Sequence, residues 1–152
     1  MPNLIVRYTH WLHTQWPSGD VEKGPGVNDD GTTNLKGVRV VGDLTGVPLL
    51  KFSADTGAKA VAELLLEPDF KMGAGTGSDV YDLVIVGAGV SGMSAAIEAK
   101  QAGLNFVLYE ADESFATIHN FPRKKPIYTY PTEMRNAGRS YFKSWVREAL
   151  LG

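Results

Sequence analysis

The chain has 152 residues, of which 43% are hydrophobic and 21% charged, with a formal net charge of −2 and no cysteine. This composition is typical of one soluble globular domain and excludes a disordered or fibrous protein. The missing cysteine excludes disulfides and thiolate metal sites in the chain, and the slight negative charge offers no surface for nucleic acid. No window approaches the roughly 18 apolar residues of a membrane span. We therefore expect a cytoplasmic protein without membrane or nucleic-acid contacts.

The first region, residues 1–67, predicts two strands, a loop and a helix. The apolar run 4–6 and the β-rich run 38–41 favour strands, and the many turn-forming residues between the two runs favour a loop. The apolar spacing over 48–66 predicts a helix. Pro48 suits the first turn of that helix, because its missing N–H would have no partner there.

Residues 68–79 are rich in glycine and small polar residues and predict a linker within one domain. A phosphate loop is disfavoured for this stretch because no Lys-Ser or Lys-Thr follows its glycines. The second half of the domain, residues 80–152, opens with a short apolar run of the kind that forms buried parallel strands. Its predicted elements are a strand at 81–86, a helix at 90–102, a strand at 105–109 and a final helix at about 132–150.

Three glycines form a GxGxxG motif at the junction of the predicted strand and helix. Gly87 would permit the tight turn, Gly89 would let a pyrophosphate approach the backbone, and Gly92 would let the helix pack closely on the sheet. Glu110 ends the next strand, where a carboxylate can bind ribose hydroxyls. The combination predicts a Rossmann-type dinucleotide site, whereas a glycine turn with a surface glutamate in an unrelated α/β protein is the weaker interpretation.

The carboxylate at position 110 also bears on which dinucleotide binds. A 2′-phosphate would meet like charge there, so FAD or NAD is favoured over NADP. The βαβ unit alone leaves the choice between FAD and NAD open.

Two segments of the chain resemble one known family. The run GVRVVGDLTGVPLLKFSADTGAKAVAELL, residues 37–65, resembles the C-terminal FAD-contacting segment of thioredoxin-reductase-like flavoproteins of the pyridine nucleotide-disulfide oxidoreductase superfamily. The run DLVIVGAGVSGMSAAIEAKQAGLNFVLYE, residues 82–110, resembles their N-terminal FAD fingerprint. The resemblance implies FAD as cofactor, with Asp43 near the ribityl and pyrophosphate groups. It also implies that the helix beginning at 47–50 points its N-terminus at the isoalloxazine.

The two segments stand in reversed order relative to the family. The resemblance therefore implies an α/β, Rossmann-type three-layer FAD/NAD(P)-binding fold with circularly permuted halves, 1–67 and 80–152, in a single domain covering 1–152. The family's NAD(P)H-binding domain and its Cys pair are missing from this chain. We expect that domain to be supplied elsewhere, and the surface it would cover could drive formation of a homodimer.

These observations lead to a predicted function and a predicted site without a catalytic side chain or a metal. The function is that of an FAD-dependent oxidoreductase, or the FAD domain of one, which passes electrons from a nicotinamide donor through the flavin. A non-catalytic FAD-binding module or fragment and an NAD-binding dehydrogenase domain remain alternatives. The predicted cofactor-binding residues are Gly42, Asp43, Val47, Pro48, Leu49, Leu50, Gly87, Gly89, Val90, Ser91, Gly92, Glu110 and Ala111.

Weaker candidates lie outside these two motifs. His10 and His13 lack a third ligand at metal spacing, so packing or a loop near the flavin is favoured over a metal pair. Trp11 and Trp16 favour core or rim packing over stacking on the flavin. A position near the active site is the weaker interpretation for His119 and Asn120. The basic run 123–125 favours a solvated loop over a contact with a cofactor phosphate or an acidic partner. Residues 128–131 favour an edge strand or turn over a cofactor wall.

Overall fold

The computed structural model describes residues 4–14, 26–74, 80–128 and 130–138. These residues form helices and short parallel strands, so the fold is of the α/β type. A 3₁₀ helix spans Gly42–Thr45. The other elements, in chain order, are α1 (Leu4–Thr14), α2 (Leu50–Leu66), β1 (Leu83–Val86), α3 (Val90–Ala102), β2 (Phe106–Tyr109) and α4 (Ala116–His119).

The βαβ unit predicted from the sequence is present. Strands β1 and β2 pair in parallel, in a register that runs from Leu83 opposite Phe106 to Val86 opposite Tyr109. Helix α3 connects them and ends at Gly103, whose left-handed backbone lets its N–H bond the last carbonyls of the helix. The predicted bounds of α3 are confirmed, and each strand is shorter than predicted by one or two residues at its start.

The core lies between this sheet and the helices. One buried apolar cluster contains Ile85 of β1, Val61 of α2, Ala95 and Ala99 of α3, and Leu104, which follows α3. Helix α2 packs against α3, and its Val61 joins this cluster. Small residues let the backbones of α2 and α3 approach closely, and the apolar area buried between them stabilises the fold.

The opposite face of the sheet is exposed in the described part of the chain. Val84 and Val86 alternate with Ile85 along β1 and are 52% and 84% exposed, and Tyr109 of β2 is 57% exposed. The described residues thus form a sheet with one helical layer. The three-layer arrangement stays a prediction.

The strand predicted at residues 4–6 is wrong. This run is the first turn of α1, an amphipathic helix on whose surface Tyr8 and Trp11 stack with their ring centroids 6.0 Å apart. Three apolar residues in a row fit a strand and a helix equally well, and the polar residues that follow at helical spacing decide for the helix.

The strand predicted at residues 38–41 is also wrong, because this run makes a single isolated bridge, from Arg39 to Thr32. This bridge includes the backbone bond from the N–H of Val40 to the carbonyl of Gly31. No neighbouring strand is paired with the run among the described residues. Its fixed position comes instead from Arg39, whose guanidinium bonds Glu63 at 2.5 Å and Glu67 at 2.9 Å on α2.

The helix predicted over 132–150 does not begin where expected. Residues 132–138 are irregular and lie against α2, where Lys51 donates to the carbonyl of Pro131 and Asp55 accepts from the N–H of Ala137. Backbone groups bound in this way are not available for helical bonds. The remainder of the predicted helix, 139–150, lies outside the described residues, as does the part of the predicted linker at 75–79.

Candidate cofactor-binding site

Two of the three glycines in the motif are required by the fold, and the third has open space around it. Gly87 has φ +97° and donates its N–H to the carbonyl of Tyr109 at 2.7 Å. Gly92 is buried, and a Cβ there would collide with the carbonyl oxygen of Gly87 and lie 3.0 Å from its carbon. A Cβ at Gly89 would meet nothing within 4 Å. The fold therefore requires Gly87 and Gly92, whereas the open space at Gly89 fits the approach of a ligand.

Glu110 ties the end of β2 to the glycine turn. Its Oε2 accepts from the N–H of Ala88 at 2.5 Å, and its Oε1 accepts from the N–H groups of Ala111 and Asp112 at 2.8 and 3.1 Å. These bonds, the one from Ala88 above all, hold the pKa of Glu110 below its ordinary value. An ionised carboxylate accepts about four bonds, so one lone pair remains for a ligand hydroxyl.

The Gly42–Asp43 step lies between α2 and the start of α3. Gly42 is buried with φ +76°, and a Cβ there would lie 3.0 Å from Cβ of Ser91. Asp43 accepts a hydrogen bond from the hydroxyl of Ser53 at 2.6 Å. Two motifs that stand more than forty positions apart in the chain are thus in van der Waals contact.

Among the described residues, no side chain caps the N-terminus of α2 or of α3. The N-cap residues are Leu49 for α2 and Gly89 for α3, and neither first turn carries an acidic residue. The first N–H groups of a helix have no partner within the helix, and its N-terminus carries a partial positive charge. Both features suit the binding of a phosphate or another anionic group.

A cavity of about 1050 Å³ opens between Asp43 and the glycine motif. Its volume lies just above the roughly 300–1,000 Å³ usual for ligand sites, so it has room for a large ligand. The cavity continues from the glycine turn along β1 and the run 38–41. The predicted residues on its wall are Asp43, Leu50, Gly87, Gly89, Val90, Ser91 and Gly92.

The remaining predicted residues do not line this cavity. Glu110 and Ala111 lie at the end of β2 and are exposed, Gly42 is buried behind Ser91, and Val47, Pro48 and Leu49 precede α2. The predicted helix begins two residues late, at Leu50, because Leu49 is extended with φ −120°. The expected contacts of these residues with a cofactor stay predictions.

Sequence reasoning missed Ser53 and Thr56. Ser53 bonds Asp43, and the Thr56 hydroxyl accepts from the N–H of Gly42 at 2.9 Å. Their spacing of three positions, which places both on one face of α2, is the signal that could have identified them.

The weaker candidates that the structure describes do not join the site. Trp11 is 55% exposed on α1, His119 and Asn120 are exposed at α4, and Lys125 lies over the ring of Phe121 at 3.7 Å. The described residues contain no cluster of three potential metal ligands. The side chains of His10 and His13, and the whole of Trp16, lie outside the described part.

Comparison with known proteins identifies the ligand. Residues 82–120 match the family model of an FAD binding domain. The chain carries an FAD-binding segment. A thioredoxin reductase from Ureaplasma parvum serovar 3 is 56% identical over 32 residues, which are 21% of this chain and 10% of that protein. The chain thus matches about a tenth of the length of this curated relative, and no solved structure matches it.

The FAD-binding segment, 82–120, covers β1, α3, β2 and α4. FAD was the cofactor expected from the sequence, and this expectation is confirmed. The open position at Gly89 and the uncapped helix N-termini fit the pyrophosphate of such a cofactor. Among the described residues, no helix is long and apolar enough to cross a membrane.

Proposed function

We propose that the chain is the FAD-binding part of a flavin-dependent oxidoreductase. The contact of the Gly42–Asp43 step with Ser91 is the observation that carries this proposal, because it joins the FAD-binding segment to a second motif. The bound flavin would supply the redox chemistry, accepting electrons from a nicotinamide donor and passing them onward. The similarity to a thioredoxin reductase supports an oxidoreductase over a passive carrier.

Each part of the site has a role in this proposal. The turn at Gly87 and Gly89, with the first N–H groups of α3, would hold the pyrophosphate. Glu110 would accept a bond from an adenosine ribose hydroxyl with its remaining lone pair. Asp43 would accept bonds from the ribityl hydroxyls, and the N-terminus of α2 would favour negative charge on the flavin.

The order of the two motifs supports a circularly permuted arrangement of the FAD domain. The Gly42–Asp43 step precedes the glycine motif in the chain yet packs directly against it, so the permuted order is compatible with one joint site. In this arrangement a nicotinamide-binding domain, in another part of the protein or on a separate subunit, would deliver the electrons. The surface facing that domain would otherwise be available for homodimer formation.

An absorbance spectrum of the purified protein tests the function directly. We expect flavin bands between roughly 350 and 500 nm after incubation with FAD, because the flavin carries the chemistry. Bleaching of these bands on anaerobic addition of NADH or NADPH would place a nicotinamide site in this chain. We expect the bands to persist after NADH or NADPH is added to the chain alone. They should bleach once a nicotinamide-binding reductase domain is also added. No bands after reconstitution would refute the FAD site.

Substitution at the open glycine tests where the cofactor binds. A Cβ at Gly89 meets no protein atom within 4 Å, so Gly89→Ala should leave the unfolding free energy of the ligand-free protein within about 0.5 kcal/mol. The same methyl group would obstruct the pyrophosphate, and we expect FAD to bind at least about tenfold more weakly. The measurements are urea unfolding without FAD and a titration of flavin fluorescence.

Gly26→Ala is the matched control, since Gly26 also has open space around it but lies away from the cavity. It should change neither quantity. Unaltered FAD affinity in Gly89→Ala would contradict the placement of the pyrophosphate at the glycine turn.

A further inference from the structure

The carboxylate of Asp43 is held by a buried serine of α2. Ser53 is only 3% exposed, and its hydroxyl donates to Oδ1 of Asp43 at 2.6 Å. This distance is typical of a bond from a hydroxyl to an ionised carboxylate, which is stronger than a bond between neutral groups. Asp43 itself is exposed, and its Oδ2 accepts no bond from the described residues. One carboxylate oxygen is thus bound to the protein and the other is available.

A second hydroxyl of the same helix holds the backbone next to Asp43. Thr56 accepts the N–H of Gly42 with its Oγ1 at 2.9 Å and donates to the carbonyl of Ser53 at 3.2 Å. Ser53 and Thr56 lie three positions apart and share one face of α2. The two side chains therefore bind both residues of the Gly42–Asp43 step.

The step cannot move away from these two hydroxyls. The 3₁₀ helix begins at Gly42, whose carbonyl accepts from Oγ1 of Thr45 at 2.7 Å. On the other side, the side chain of Ser91 leaves no room for a Cβ at Gly42. A carboxylate with a short side chain on such a fixed backbone has few rotamers to lose when a ligand binds, and preorganisation of this kind improves affinity.

We propose that Ser53 is a positioning residue for FAD: its hydroxyl orients the Asp43 carboxylate so that the available oxygen can accept a hydrogen bond from a cofactor hydroxyl. This inference rests on the function proposed above. Loss of the Ser53 hydroxyl would leave the Asp43 side chain exposed but free to rotate. The affinity for FAD falls in that case because the carboxylate must be ordered at the moment of binding.

A double-mutant cycle separates positioning from packing. The proteins are the unaltered chain, Ser53→Ala, Asp43→Ala and the double variant, and the measured quantity is the dissociation constant of FAD from flavin fluorescence. We expect Ser53→Ala to weaken binding about 3- to 10-fold. In the Asp43→Ala background the same change should have no further effect, because the group that Ser53 orients is gone.

Ser94→Ala is the matched control. Ser94 is a buried serine of α3, 1% exposed, that does not line the cavity. It should leave the FAD affinity unchanged, and thermal unfolding of each ligand-free variant reports any loss of packing.

The outcomes are distinct. An unchanged affinity in Ser53→Ala, or an equal loss with and without Asp43, would overturn the positioning role while the FAD site stands. Ser53 would likewise be assigned to packing if Ser53→Ala weakened FAD binding and also lowered the stability of the FAD-free protein by the same amount with and without Asp43. If the unaltered chain fails to bind FAD, the proposed function fails, and the positioning role fails with it.

Discussion

Three backbone N–H groups determine the state of the Glu110 side chain. They stabilise the ionised carboxylate and hold its pKa below the ordinary value, although the side chain is exposed. The residue therefore has a role in the free protein, where it joins the end of β2 to the turn at Ala88. Its predicted contact with a ribose would add to this role rather than replace it.

This lowered pKa predicts a pH dependence of stability. A carboxyl whose folded pKa is depressed contributes stability above its unfolded pKa, and that contribution is lost as the pH falls through the folded pKa. Between about pH 6 and about pH 3, the unaltered protein should therefore lose more stability than Glu110→Gln. Urea unfolding across this range measures the difference, with Glu113→Gln, a change of an exposed neighbouring carboxyl, as control. Parallel pH curves for the unaltered protein and Glu110→Gln would contradict the prediction.

Gly92 shows how one missing methyl group determines the packing of a helix on a strand. A Cβ at this position would collide with the backbone of Gly87, so Gly92→Ala should destabilise the ligand-free protein by about 2–3 kcal/mol. Gly89→Ala provides the comparison within the same motif, with open space in place of a collision. Urea unfolding should separate the two variants, and equal stability would show that the turn can move aside.

At the scale of elements, α2 holds the run 38–43 in place. Its C-terminal part binds Arg39, and its N-terminal part binds the Gly42–Asp43 step through Ser53. The run 38–43 is therefore fixed by side chains of a helix, and not by neighbouring strands. This explains how a segment with a strand-like sequence keeps a defined path while making only one bridge.

The Arg39 pairs should contribute measurably to stability. The Arg39 side chain is 18% exposed and bonds two carboxylates, so Arg39→Met, which keeps much of the apolar stem, should cost about 1–2 kcal/mol. The control is Lys36→Met, which breaks an ion pair with Asp69 whose side chains are 88% and 80% exposed. That change should cost no more than about 0.5 kcal/mol. If Arg39→Met and Lys36→Met lowered the unfolding temperature equally, burial of the ion pair would not explain its contribution to stability.

Contact between α2 and α3 depends on Gly57. A Cβ there would lie 2.9 Å from the carbonyl carbon of Ser91 and collide with its oxygen. Alanine gains about 1 kcal/mol over glycine in a helix interior, but overpacking against a rigid backbone costs about 1–3 kcal/mol. Gly57→Ala should thus be neutral to destabilising without FAD, and it should weaken FAD binding because it displaces Ser91 at the cavity wall. Unchanged affinity would contradict a close contact.

For the whole molecule, the main feature is a two-stranded parallel sheet that is covered on one face in the described residues. Parallel sheets occur almost only with both faces covered. Val84, Val86 and Tyr109 form the exposed face, and their apolar side chains favour contact with a further layer or another molecule.

This face predicts concentration-dependent self-association of the isolated chain. The variant Val84→Thr with Val86→Thr keeps β-branched side chains on the strand but makes the face more polar, and it should reduce association in sedimentation velocity runs. Tyr128→Ser removes an exposed aromatic residue outside the sheet and serves as control. Equal association of the Thr variant and the unaltered chain would locate the contact elsewhere.

The sequence by itself determined the βαβ unit and the glycine motif, and its resemblance to known flavoproteins predicted FAD as the cofactor. The short apolar run and the positions of Gly87, Gly92 and Gly103 are local properties, so α3 could be predicted to the residue. The same local reasoning failed at residues 4–6 and 38–41, where short apolar runs fit more than one structure.

Only the tertiary structure decided which distant residues meet. The contact of Gly42 with Ser91 and the bond from Ser53 to Asp43 depend on how α2 crosses α3, which no local pattern specifies. The path of the run 38–43 was decided by Arg39 and two carboxylates on α2, more than twenty positions away in the chain. Local sequence selects the elements because each depends on neighbouring residues, whereas the site depends on side chains brought together by packing.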